Sequence, residues 1–183
     1  LVMEMRRVVT GHTTDGRATI VSDSNVAGTT VALFPGFEQH TMWGADEAPT
    51  FPDDGSIPNF TQYFPSTGGF RFTLVTFQPE STIEFNNIDR EAGILEMEQI
   101  WPGLIAAQEP ENPRMHRSDT VDFEYVISGD IWLELDSGEE VHLTAGDSVV
   151  QNGTKHAWHN RSKEPCRMVV CLIGANYREA ITN

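Results

Sequence analysis

Two histidines and two carboxylates in one stretch have the types and spacing for chemistry: His116, Asp122, Glu124 and His156. Imidazole nitrogens and carboxylate oxygens are donors that Zn, Fe, Mn or Ni accept, and two histidines with one carboxylate leave positions open for substrate, water or oxygen. Side chains alternate across an extended strand. His116, Ser118, Thr120, Asp122, Glu124 and Val126 share one parity, so an extended segment projects them to one face. His156, Trp158 and Asn160 share a parity in a later run, and His159 faces away from them. If the two runs meet inside a barrel, His116, Asp122 and His156 form a metal site. Glu124 is then either the alternative carboxylate ligand or a general base.

That meeting requires strands that turn back on one another, and the C-terminal half reads that way. Residues 122–136 alternate with a break at Gly129, Asp136-Ser137-Gly138 makes a hairpin turn, and short strands follow at 140–143, 148–151 and 156–160. Residues 167–173 read as a strand of the buried kind. Earlier in the chain, residues 6–10 and 17–23 predict a hairpin. Residues 29–34 and 40–43 predict two further strands, and residues 70–81 the clearest strand of the first half. Residues 44–69 hold Pro49, Pro52, Pro58 and Pro65 and the aromatics Phe51, Phe60, Tyr63 and Phe64, the composition of a lid or packed arm. Between 89 and 108, Ile94, Met97 and Trp101 recur at helical spacing behind Asp89 as a cap, and Pro102-Gly103 divides one or two short helices.

Fifteen Gly, ten Pro and 39% hydrophobic residues in 183 predict one globular unit, all-β, able to bury a core without staples. It divides into N-terminal strands and an arm over 1–88, a helical segment over 89–108 and a barrel core over 109–183. A formal net charge of −15 argues against nucleic acid and anionic membranes as partners. Arg6 and Arg7 interrupt the first apolar run, so no signal peptide or membrane span is expected, and a cytoplasmic location is. Cys166 and Cys171 lie on opposite faces of one strand and are expected as free thiols.

The stretch from 115 to 173 resembles the cupin family, whose fold is a double-stranded β-helix, or jelly-roll, barrel. The first family motif is matched by His116-Arg117-Ser118, Asp122 and Gly129, and the second by Gly146-Asp147, Asn152-Gly153, His156 and Asn160. Ser118 stands where the family has a second histidine, and Asp122 where it has glutamate. The run from Val8 to Gly16 is similar to the N-terminal strands of single-cupin proteins. The resemblance implies a divalent ion on His116, Asp122 and His156, a small-molecule substrate and, together with the apolar N-terminal strands and arm, a homodimer. Ser118, Thr120, Tyr125, Trp158 and Arg117 are the candidate substrate contacts.

Three functions follow from this reading. The first is a metal-dependent lyase that decarboxylates or dehydrates a carboxylated or enol-type metabolite, aromatic or polyketide-like, with Glu124 or Asp122 moving the proton. The second is an Fe(II) dioxygenase built on the same residues. The third is a non-catalytic barrel that holds a small ligand.

Overall fold

The computed structural model describes residues 4–84 and 88–178. Strands β1 (Met5–His12) and β2 (Ala18–Val26) form the expected antiparallel hairpin as a two-stranded sheet of their own. β3 (Phe37–Ala45) and β4 (Phe70–Phe77) follow, separated by the arm. Helix α1 (Arg90–Ile100) comes next, and Asp89 caps it by accepting a hydrogen bond from the Ala92 amide. After a 3-10 turn come β5 (Gln108–Glu109), β6 (Asn112–His116), β7 (Thr120–Ser128), β8 (Asp130–Leu135), β9 (Glu140–Thr144), β10 (Ser148–Asn152), β11 (His156–His159) and β12 (Cys166–Gly174).

Two five-stranded sheets make the barrel. One runs β10-β7-β12-β4-β3 and the other β5-β6-β11-β8-β9. β3 and β4 lie N-terminal to residue 109 yet complete the first sheet, so the barrel draws strands from both sides of that boundary. The chain crosses from one sheet to the other at Gly129 (φ 79), between β7 and β8. A Cβ there would stand 2.5 Å from the Pro165 carbonyl oxygen, so the crossing needs both the positive φ and the missing side chain.

Val75, Val126, Ile131, Leu133, Leu143, Cys166 and Met168 fill the space between the sheets. A second cluster of Val31, Met97, Trp101 and Leu104 seals the arm and α1 against the barrel. Both cysteines are free; Cys166 is buried and Cys171 partly so. Met97 and Trp101 of the helical stripe are buried as expected, whereas Ile94 is 37% exposed.

One predicted strand is absent. Over 29–34 only Thr29 pairs, with Gln39, and the chain then turns, the Phe34 amide donating to the Val31 carbonyl. Glu96 of α1 accepts the Ala32 amide, and Val31 and Leu33 pack against the helix. Docking the helix therefore replaces a ladder of strand bonds.

The arm follows β3 and is fastened from beneath by Arg71 of β4. The Arg71 guanidinium donates to the carbonyls of Ala45, Phe70 and Gln62 and to the Asp46 carboxylate, and it lies 4.1 Å from the Phe60 ring centre. Strand parity turns Arg71, Thr73 and Val75 inward, so Arg71 is 2% exposed while its neighbour Phe72 faces out.

Candidate metal centre

β7 carries Thr120, Asp122, Glu124 and Val126 on its buried face, and β11 carries His156. β11 lies beside β6, with His156 opposite His116, and the two rings are 4.4 Å apart between centres. Asp122, Glu124 and His156 each offer a ligand atom within 4.8 Å of the others, and all three are buried. That cluster includes Glu124 and leaves out His116, which the sequence reading had placed among the ligands. His116 stands against the cluster, its ring stacked near Phe64 of the arm at 6.4 Å.

These groups form the polar end of a cavity of about 580 Å³, within the range of small-molecule sites. Most of its other lining is apolar: Phe34, Phe37, Phe77 and Trp158 among the sheets and loops, Ile94 and Leu104 from the helical segment, and Tyr63 and Phe64 from the arm; Gln78, Glu80, Arg90, Gln108 and Arg114 also line it. The helix and arm thus close over the barrel mouth. The four aromatics of the arm predicted its packing, but their sequence does not say that Tyr63 and Phe64 reach the site while Phe51 stays exposed.

The histidine tautomers suit ligation. His156 Nδ1 donates to the Thr154 carbonyl at 2.9 Å and His116 Nδ1 to the Arg114 carbonyl at 3.2 Å. Each ring then keeps its lone pair on Nε2, the arrangement that a backbone carbonyl bonded to the other ring nitrogen imposes on ligating histidines. Burial and the neighbouring His116 push the His156 pKa down to about 3, and burial lowers that of His116. Burial lifts Asp122 to about 6, and burial followed by the Asp122 charge lifts Glu124 well above the usual carboxylate range. Glu124 Oε2 is buried without a hydrogen-bond partner. An unpartnered carboxylate oxygen beside a second carboxylate and a lone-pair nitrogen fits a divalent cation, which supplies the charge these groups lack.

The remaining candidates are distributed differently. Trp158 lines the cavity. Ser118 and Thr120 are buried but do not line it. Their hydroxyls form a chain, Ser118 to Thr120 at 2.6 Å and Thr120 to Asp122 Oδ1 at 2.5 Å, that orients the carboxylate. Tyr125 is 48% exposed on the outer face of the sheet, because alternation turns it away from Glu124. Arg117 points out, with its guanidinium 3.8 Å from the Tyr177 ring centre. Asn160 holds the loop after β11, donating to the carbonyls of Phe77 and Glu164. His159 faces away as expected, between Glu80 and Glu134.

Residues 103–172 match the family model described as "Cupin domain". That stretch of the chain is similar to the cupin family. Over 48 residues it is 52% identical to the Phomopsin biosynthesis cluster protein C' of Diaporthe leptostromiformis, covering 26% of this chain and 25% of that protein. Over 62 residues it is 46% identical to the cupin-domain-containing oxidoreductase virC of Hypocrea virens, covering 32% of each. A longer match, 27% identical over 168 residues, covers 91% of this chain and 72% of the cupin-domain-containing oxidoreductase srdB of Neurospora crassa. The chain thus spans about a quarter to a third of the first two relatives. Among the described residues, no helix is long and apolar enough to cross a membrane.

The titrations carry a testable sign. A carboxyl raised in the fold binds its proton more tightly there. Asp122 therefore favours the metal-free fold fully below its ordinary value near ~4, and that contribution is lost as pH rises through about 6. His156 runs the other way: its contribution is present above ~6.5 and is lost as pH falls toward about 3. Cation uptake must displace a proton from Asp122 below about 6 and one from Glu124, so affinity for Zn or Mn falls as pH falls, most steeply below 6. Titration calorimetry between pH 5 and 7 measures this slope. A flat profile would remove both carboxylates from the ligand set.

Proposed function

We propose that this protein is a metal-dependent enzyme of secondary metabolism that decarboxylates or dehydrates a small carboxylated or enol-type substrate, aromatic or polyketide-like. The observation that carries this reading is the cluster of Asp122, Glu124 and His156 in a cavity lined mostly by apolar and aromatic residues. The biosynthesis-cluster relative supports the metabolic setting.

Asp122, Glu124 and His156 would hold the ion, with Thr120 orienting Asp122. When bound there, a divalent ion supplies Lewis-acid polarisation of a substrate oxygen. The aromatic walls hold the carbon skeleton and exclude water. With both carboxylates in the donor cluster, His116 is left to move the proton. It is neutral, its Nδ1 proton is fixed on the Arg114 carbonyl, and its Nε2 lone pair is free to accept. In decarboxylation His116 Nε2 takes the proton of the substrate's carboxyl group, the carbon–carbon bond breaks as carbon dioxide leaves, and the imidazolium returns that proton to the carbanion. In dehydration Nε2 takes the proton from carbon and passes it to the departing hydroxyl, which leaves as water.

The names of two relatives, both oxidoreductases, favour a second reading in which the same residues hold iron for oxygen-dependent chemistry. One experiment separates the two. Protein loaded in turn with Zn, Mn or Fe(II) is incubated with a panel of aromatic keto and hydroxy acids. Release of carbon dioxide or water without oxygen uptake supports the lyase, and oxygen uptake with iron selects the oxidoreductase. Metal-loaded protein that binds these acids and converts none would be a ligand-binding barrel, and both enzyme readings would fall.

A further inference from the structure

Besides the histidines and the two clustered carboxylates, three charged residues line the cavity: Glu80, Arg90 and Arg114. Two guanidinium groups against one carboxylate reverse the balance of a chain with 27 acidic and 12 basic residues. Arg114 of β6 is matched. Its Nη1 donates to Glu80 Oε1 at 2.6 Å, and that oxygen also lies 2.9 Å from His159 Nδ1. Arg90 has no such match: among the described residues no acid pairs with it. Local rules do not explain its place. It opens α1, where the aligned peptide dipoles favour acids over cations. Three and four residues further on stand Gly93 and Ile94, so its helix face holds no acidic neighbour. Arg90, Ile94, Met97 and Trp101 instead share one helical stripe, the one that packs toward the barrel. Met97 and Trp101 are buried, Ile94 is partly exposed, and Arg90 is exposed yet lines the cavity. The stripe climbs from the core to the cavity mouth and ends there on a cation.

We propose that Arg90 forms an anion subsite at the cavity mouth, which receives a carboxylate of the substrate while the reacting, oxygenated end reaches the Asp122–Glu124–His156 cluster. This carboxylate anchors the substrate and does not react. The subsite rests on the reading of the cavity as a substrate site, and not on which reaction occurs there. Charge sets the ligand class. With Arg114 and Glu80 offsetting each other, the mouth carries one net positive charge, which suits one carboxylate group. A guanidinium also presents paired donors that match the two carboxylate oxygens. Entry is the second argument. A chain with a net charge of −15 repels organic acids at long range, so an acid that enters needs a cation at the opening. Between the two polar regions the lining is mostly apolar and aromatic, which suits a flat carbon skeleton.

Calorimetric titration of the full chain, with and without zinc, tests this. The probes are 4-hydroxybenzoate, 4-hydroxycinnamate and the neutral methyl ester of each. In the wild type at least one acid is expected to bind about tenfold more tightly than its ester, the range of a hydrogen bond to a charged group. In Arg90→Met that acid is expected to lose about tenfold while its ester is unchanged. The melting temperature is not expected to fall, because the substitution removes a cation from the start of α1. Arg90→Lys retains the charge, and its preference for acid over ester is expected to persist. Acids and esters that bind the wild type equally overturn the subsite and leave the cavity a substrate site. So does an acid preference that survives in Arg90→Met, which would place the carboxylate at the metal. A lowered melting temperature with equal loss of acid and ester marks a structural role and also overturns it. Binding of neither acid nor ester overturns the subsite and the substrate reading together. Arg90-dependent acid binding without turnover supports the subsite and removes only the enzyme reading.

Discussion

His156→Ala is expected to lower divalent-cation affinity at least about 100-fold, so that metal copurifying with the wild type is lost. His156 provides the nitrogen of the Asp122–Glu124–His156 cluster, and its Nδ1 bond to the Thr154 carbonyl points the Nε2 lone pair at the carboxylates. Losing a second-shell partner of a ligand already costs 10–100-fold in many sites, and losing the ligand costs more. The fold itself is expected to survive, because removing a neutral buried imidazole leaves one carbonyl to rebond with water. His116→Ala separates the two histidines. If His116 moves protons without ligating, this variant retains metal within about tenfold of wild type while turnover falls by about 10²–10⁴. Metal analysis together with calorimetry reads both. Equal loss of metal in the two variants would return His116 to the ligand set, and proton transfer would then need another group.

Arg71→Met is expected to destabilise the protein by about 3 kcal/mol, at the lower end of what breaking a buried ion pair costs. The guanidinium is 2% exposed and serves four acceptors, three of them backbone carbonyls of the arm and its borders. Methionine fills the volume but leaves those acceptors without a donor and removes the cation from the Phe60 ring. Asp46 is about one-third exposed and can turn to water, which keeps the loss below that of a fully enclosed pair. For a chain of this size the melting temperature falls by roughly 6–12 °C. Because Tyr63 and Phe64 belong to the same arm, cavity ligands are expected to bind more weakly in this variant as well. A melting temperature within about 2 °C of wild type would show that the arm is held by its aromatic packing alone.

Much of this molecule follows from local rules that operate along the chain. Period-two alternation places Asp122, Glu124 and Val126 inside and Phe123 and Tyr125 outside, whatever the strands pair with. The same rule turns Tyr125, a candidate substrate contact by sequence, away from the cavity that contains Glu124. Asp89 caps a helix, and Gly129 marks a crossing, because the backbone at each point has few alternatives. Distances between strands obey no such local rule. Parity turns His116, Asp122, Glu124 and His156 to one interior, but pairing register and sheet curvature select the three whose donor atoms converge. Residues 29–34 have the composition of a strand and become a turn because α1 supplies Glu96 to the Ala32 amide. The arm's aromatics announce burial, and long-range contacts, Arg71 on the Gln62 carbonyl and Trp101 against Tyr63, set them as the wall beside His116. Alternation is a property of one strand and needs only its own residues. Convergence is a property of several strands, and its energy comes from contacts between residues far apart in sequence.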